Sequence, residues 1–125
     1  MSLLIVGVPF ATSSIKFACY NGSLNPSAEF VCSANTWMQI VGVFDHTNNF
    51  LYAYRNGVLQ TTSAMNIGGT ISNSSTLNIA RRANSVGGGT GYFTGKVGIC
   101  RIYSSLLTAS DIQQNFNANR NLFGI

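Results

Sequence analysis

The sequence predicts an all-β fold, an antiparallel β-sandwich with one short C-terminal helix. Three observations predict it. Short runs rich in β-branched and aromatic residues recur between Asn/Gly/Ser/Thr turns, at the spacing of sandwich strands. Asn56-Gly57 joins two of these runs with the two residues of a type I′ hairpin, where both must tolerate φ > 0. Thr108-Ala109-Ser110-Asp111 carries the pattern of a helix capping box.

In chain order, strands are expected over residues 3–8, 14–20, 28–32, 37–44, 50–55, 58–62, 76–80 and 96–103. Asn25-Pro26 marks a turn between the second and third. The run from Trp37 to Phe44 is apolar on both faces, which places it at the centre of a packed sheet, with Trp37 in the core. At the helix start, Thr108 accepts from a first-turn amide while Asp111 reaches back. Leu107 before the cap and Ile112 after it have the spacing of a hydrophobic staple, and Phe116 follows Ile112 one turn later on the same face. The Gly-rich stretch 85–91 has no Gly-Lys-Ser/Thr after it and reads as a loop, not a phosphate cradle. No linker divides the chain, so residues 1–125 are expected to form a single domain.

Composition narrows the chemistry. Hydrophobic residues make up 46% of the chain and charged residues only 8%, against about 25% in ordinary soluble domains. Glu29, Asp45 and Asp111 are its only acids, so a mechanism that needs a carboxylate cluster is disfavoured. The formal charge of +4 reflects this shortage of acids, because Lys16, Arg55, Arg101 and Arg120 are scattered. Nucleic-acid binding needs cations gathered on one face, and is not expected. Cys19, Cys32 and Cys100, with the single His46, form neither a disulfide framework nor a zinc motif, and each cysteine lies in an apolar strand-like run as a buried free thiol. No apolar run is long enough for a membrane helix, and the start lacks a basic leader region. Cytoplasmic synthesis is therefore expected, with the final location left open.

The order of motifs resembles the laminin-G-like, concanavalin A-like jelly-roll domains. Residues 37–45 (WMQIVGVFD) resemble that family's W-x-x-V-A-x-x-Y-D strand, and residues 51–57 (LYAYRNG) its L-x-L-Y-V-N-G hairpin. Leu77-Asn78-Ile79-Ala80 stands where the family has L-x-I-G. Phe93 to Val97, then Arg101-Ile102-Tyr103, resemble F-x-G-x-I-D-E-V-R-I-Y, and Leu106 to Ile112 resemble the closing A-L-S-x-x-E-I. Gly98-Ile99 replaces the family's Asp-Glu. The family also carries further N-terminal strands, the first of which pairs near the last. Here Trp37 comes early, which implies either a minimal fold or a piece truncated at its N-terminus with an open edge to cover. An uncovered edge strand invites association, so a homo-oligomer is expected. The ending, residues 115–125, is similar to tails of such domains in marine bacteriophage structural proteins, which implies a place on a virion.

The resemblance also implies functions to weigh. Related jelly rolls include glucanases, which need two carboxylates flanking the bond; their E-x-D-x-x-E strand is absent, as Glu29 is followed by Phe30-Val31-Cys32. Asp45-His46 is a turn, not two-thirds of a triad, and no Gly-x-Ser-x-Gly elbow exists. Many relatives bind calcium; Asp45 with Asn48 and Asn49 offers a weak candidate site, a single negative charge among neutral oxygens. No other cofactor is expected. Glycan binding needs no acids. Leu51, Ala53 and Arg55 alternate with Tyr52 and Tyr54. With Leu51 and Ala53 toward the core, both tyrosines lie on the outer face, near Asn48 and Asn49. The competing reading is that cross-strand tyrosines stabilise the sheet. The Asn21 and Asn73 sequons are expected by chance in so Asn- and Ser-rich a chain. The sequence thus points to a non-catalytic module that binds a carbohydrate or a cell-surface receptor, on a phage particle, with a structural assembly domain as the alternative.

Overall fold

The computed structural model describes residues 2–9, 13–19, 26–66, 77–82 and 91–125. The loop expected from Asn21, the Gly-rich stretch and both sequons fall largely outside these residues. Among these described residues nine strands precede one helix: β1 (Ser2–Pro9), β2 (Ser13–Ala18), β3 (Ser27–Cys32), β4 (Met38–Asp45), β5 (Phe50–Arg55), β6 (Val58–Ala64), β7 (Arg81–Arg82), β8 (Gly91–Tyr92), β9 (Gly95–Tyr103) and α1 (Ala109–Phe123). Five of them form an antiparallel sheet in the order β6-β5-β4-β1-β9, while β2-β3 and β7-β8 are separate hairpin pairs.

The doubly apolar run that begins at Trp37 becomes β4, the middle strand, and its two faces found two cores. Val41 and Val43 share one face with Tyr54 and pack with Ile112 of α1; Trp37, Tyr52, Ile99, Tyr103, Leu107 and Phe123 close around them. On the opposite face, Leu51 and Ala53 pack with Ala28 and Met65, flanked by Phe17, Cys19, Phe30 and Phe44. Here Ala28, Phe30 and Cys32 alternate inward along β3, the period-2 pattern of a strand with one wet face. The β2-β3 hairpin thus lies on one side of the central sheet and α1 on the other. Gly42 makes the hairpin's approach possible: a Cβ there would stand 2.3 Å from the Phe17 ring.

Turn chemistry follows the sequence. Asn56 and Gly57 adopt φ of 50° and 80°, as a type I′ turn requires. Asn56 also ties the turn to β4, accepting from the Gln39 amide at 2.9 Å and donating its own to the Gln39 carbonyl at 3.0 Å. The capping box is complete: the Asp111 amide donates to Thr108 Oγ1 at 3.1 Å and the Thr108 amide to Asp111 Oδ2 at 2.8 Å.

Two expectations change. Residues 77–80 are not a strand; Ala80 turns to φ 59° and its carbonyl accepts from Phe93, which starts the short β7-β8 pair instead. The helix is not short: it runs for 15 residues to Phe123 and ends on Gly124 in the left-handed region, taking in the first nine residues (115–123) of the tail from Asn115. At the other end of the chain, β1 sits between β4 and β9, so the first strand pairs with the last. The β1-β9 ladder shifts register between Val6 and Gly7, leaving Gly98 as the extra residue of a bulge.

Candidate functional site

Asp45, Asn48 and Asn49 meet at one end of the sheet, in the turn from β4 to β5, and Tyr52 and Tyr54 follow successively further along β5. Asp45 closes β4 and is 7% exposed. Its two carboxylate oxygens accept from Asn48, Oδ1 from the backbone amide at 3.0 Å and Oδ2 from Nδ2 at 2.7 Å. The Asn48 side chain first, then its backbone amide, hold the Asp45 carboxyl below the ordinary carboxylate range. Asn49 follows at φ 59°, with its carbonyl accepting from the Met65 amide at 2.8 Å and its side chain exposed. Asn48 is thus a staple of the turn, whereas Asn49 presents its amide to solvent.

Along β5, Phe50, Tyr52 and Tyr54 alternate onto the face that α1 partly covers, because each pairs across β4 with Asp45, Val43 and Val41. Burial is graded along this strip. Tyr54 is 9% exposed beneath α1, and burial first, then Tyr52, pushes its hydroxyl above the usual phenol range. Tyr52 is half-buried at the cover's margin, and Phe50 is 39% exposed beyond it. The Phe50 and Tyr52 rings lie 6.0 Å apart at 36°, within the range of aromatic pairs. On the other side of the turn, His46 stacks on Phe44 at 6.1 Å.

The tyrosines therefore do lie opposite Leu51 and Ala53, but that face is not open along its length. Tyr54 is a core residue, and the exposed ring at the end of the same face is Phe50. Sequence reasoning passed over Phe50, although the same alternation that links Tyr52 to Tyr54 reaches it two residues earlier. It also passed over Gln39, whose side chain is 1% exposed with neither amide atom hydrogen-bonded.

The acids are all engaged. Glu29 meets Lys16 across the β2-β3 pair at 3.5 Å, and a hydrogen bond from Ser14, then the Lys16 charge, draw its carboxyl down despite some desolvation. Thr108 does the same for Asp111. Each Asp45 oxygen accepts one hydrogen bond from Asn48, and among the described residues no three His, Cys, Asp or Glu side chains gather. No helix of the described residues is long and apolar enough to cross a membrane.

The profile of the concanavalin A-like lectin/glucanases superfamily matches residues 4–113, nearly the whole chain. The chain belongs to that superfamily. Comparison with curated proteins and with solved structures gives no match.

Proposed function

We propose that this member of the concanavalin A-like lectin/glucanase superfamily is a non-catalytic carbohydrate-binding module. Phe50 and Tyr52 provide the stacking rings, and Asn49 a hydrogen-bonding amide. The observation that carries the reading is the exposed end of the β5 strip, where a paired phenyl and phenol adjoin an outward-facing amide. Sugars are recognised by such apolar platforms with a few polar groups placed beside them. The neutral Asn/Ser/Thr/Gly surface and the three engaged acids support binding without hydrolysis. A glycan array probed with the chain and with Phe50→Ala tests it. Binding to a neutral glycan that the variant loses supports the platform; equal binding by a folded variant removes it.

A second reading is assembly with further copies. It draws on β9, which ends the sheet and carries Ile102, 48% exposed, on the face away from α1. Strand edges with exposed apolar residues pair with other chains. Under this reading a second copy adds to β9, and light scattering at micromolar concentration gives a dimer or larger; a monomer counts against it. Display on a phage particle belongs to the same proposal and is supported by the tail resemblance.

A further inference from the structure

Gln39 is the place to look beyond the platform. Among the described residues, its Nε2 and Oε1 are the buried side-chain polar atoms that lack a partner. Its backbone is fully paired with Asn56, so only the amide is orphaned. On β4 it stands two residues from Trp37 and two from Val41, hence on their face of the sheet. Trp37 lies 4.7 Å from Phe123 of α1, and Val41 packs with Ile112 of α1. The orphaned amide therefore sits under the stretch of helix between Ile112 and Phe123.

A buried amide without partners penalises the covered arrangement alone. Once α1 lifts, water pairs both atoms and no bond of the β4 ladder breaks. The helix is equipped to leave intact: it carries its own capping box, its own left-handed stop at Gly124, and side-chain bonds that run within it, from Gln113 to Asn117 and from Asn119 to the Asn115 carbonyl. Ile112 and Phe116 are its buried residues, and it joins β9 through an exposed connection at residues 104–106.

We infer that α1 is a removable cover, which undocks as a unit while the five-stranded sheet stays folded. Undocking extends the Phe50–Tyr52 strip to Tyr54, Trp37 and the Gln39 amide on one continuous face. The purpose of the cover, to gate the size of the glycan platform, rests on the proposed function, whereas its existence does not.

Native-state hydrogen exchange without any ligand tests it. The central amides of α1, from Gln113 to Asn119, are expected to exchange together, with about tenfold or more lower protection than those of β4 and β5. Their denaturant dependence is expected to be shallower than that of the sheet. Gln39→Met, which removes the orphaned amide at similar volume, raises α1 protection by about tenfold. Equal protection and slope in α1 and β4 overturns the inference, as does a folded Gln39→Met that leaves α1 unchanged. Should that variant not fold, the wild-type comparison decides alone. Loss of the glycan reading would leave this result untouched, because no sugar is present.

Discussion

Gly98 and Phe123 fit one against the other: a Cβ on Gly98 would stand 2.5 Å from Phe123 Cε1 and 3.4 Å from Trp37 Cζ3. This contact leaves no room for a side chain at Gly98. A side chain there would evict the last turn of α1 from the sheet. Gly98→Ala is expected to destabilise the fold by about 1–3 kcal/mol, measured by urea unfolding. Trp37, the chain's one tryptophan, lies against Phe123 and reports the displacement by fluorescence.

The opposite face has its own seat. Gly42→Ala puts a methyl into the Phe17 ring, and so works on the β2-β3 hairpin in place of the helix. A loss of at least about 1–3 kcal/mol is expected. The Trp37 signal should follow global unfolding only, which separates this variant from Gly98→Ala.

Acid should loosen the chain in a defined direction. Asp45, Glu29 and Asp111 all have carboxyls held below their ordinary range in the folded state. A carboxyl of that kind stabilises the fold above its unfolded value, about pH 4, and the contribution disappears as pH falls through the folded value. Thermal midpoints are therefore expected to stay level near neutrality and drop below about pH 4. Asp45→Asn should lower the midpoint at pH 7 and flatten part of that acid slope; an unchanged slope would show that Asn48 does not hold the carboxylate.

At the other end of α1, Thr108→Ala removes the hydroxyl that accepts from the Asp111 amide and donates to Asp111 Oδ2, while the backbone amide of residue 108 still donates to that carboxylate. It is expected to cost about 0.5–2 kcal/mol and to increase exchange in the first helical turn, read by circular dichroism and hydrogen exchange.

Most of the fold was legible because its signals are local. Asn56-Gly57 needs only itself to make a turn, Thr108 and Asp111 only each other to start a helix, and the central place of β4 follows from its own doubly apolar pattern. What could not be read depends on tertiary choice. Alternation put Tyr52 and Tyr54 on one face, but nothing local says that α1 would lie over that face and take Tyr54 into the core. Helix length was missed for a related reason: residues 115–121 are rich in Asn, a modest helix former, and the burial of Phe116 together with the packing of Phe123 on Trp37 holds them helical. Residues 77–80 read as a strand by composition, yet the positive φ of Ala80 redirects the chain. Phe50 was within reach of the same alternation argument.

The polar half of the proposed platform can be removed without disturbing its backbone. Asn49 already occupies φ 59°, a conformation glycine adopts freely, so Asn49→Gly deletes the amide and keeps the turn. Stability should change little. Affinity for the best neutral oligosaccharide on an array should fall about threefold to tenfold, the loss of one hydrogen bond. Asn48→Ala, by contrast, releases Asp45 and should act mainly on stability.

The most direct measurement is a titration of the isotope-labelled chain with the neutral oligosaccharide that binds best on an array, followed by amide and aromatic chemical shifts. The account predicts saturable shifts centred on Asn49, Phe50 and Tyr52, with Phe50→Ala weakening the affinity by about tenfold or more. Shifts centred on β9 or the β2-β3 hairpin, or the absence of any saturable neutral ligand, would contradict it.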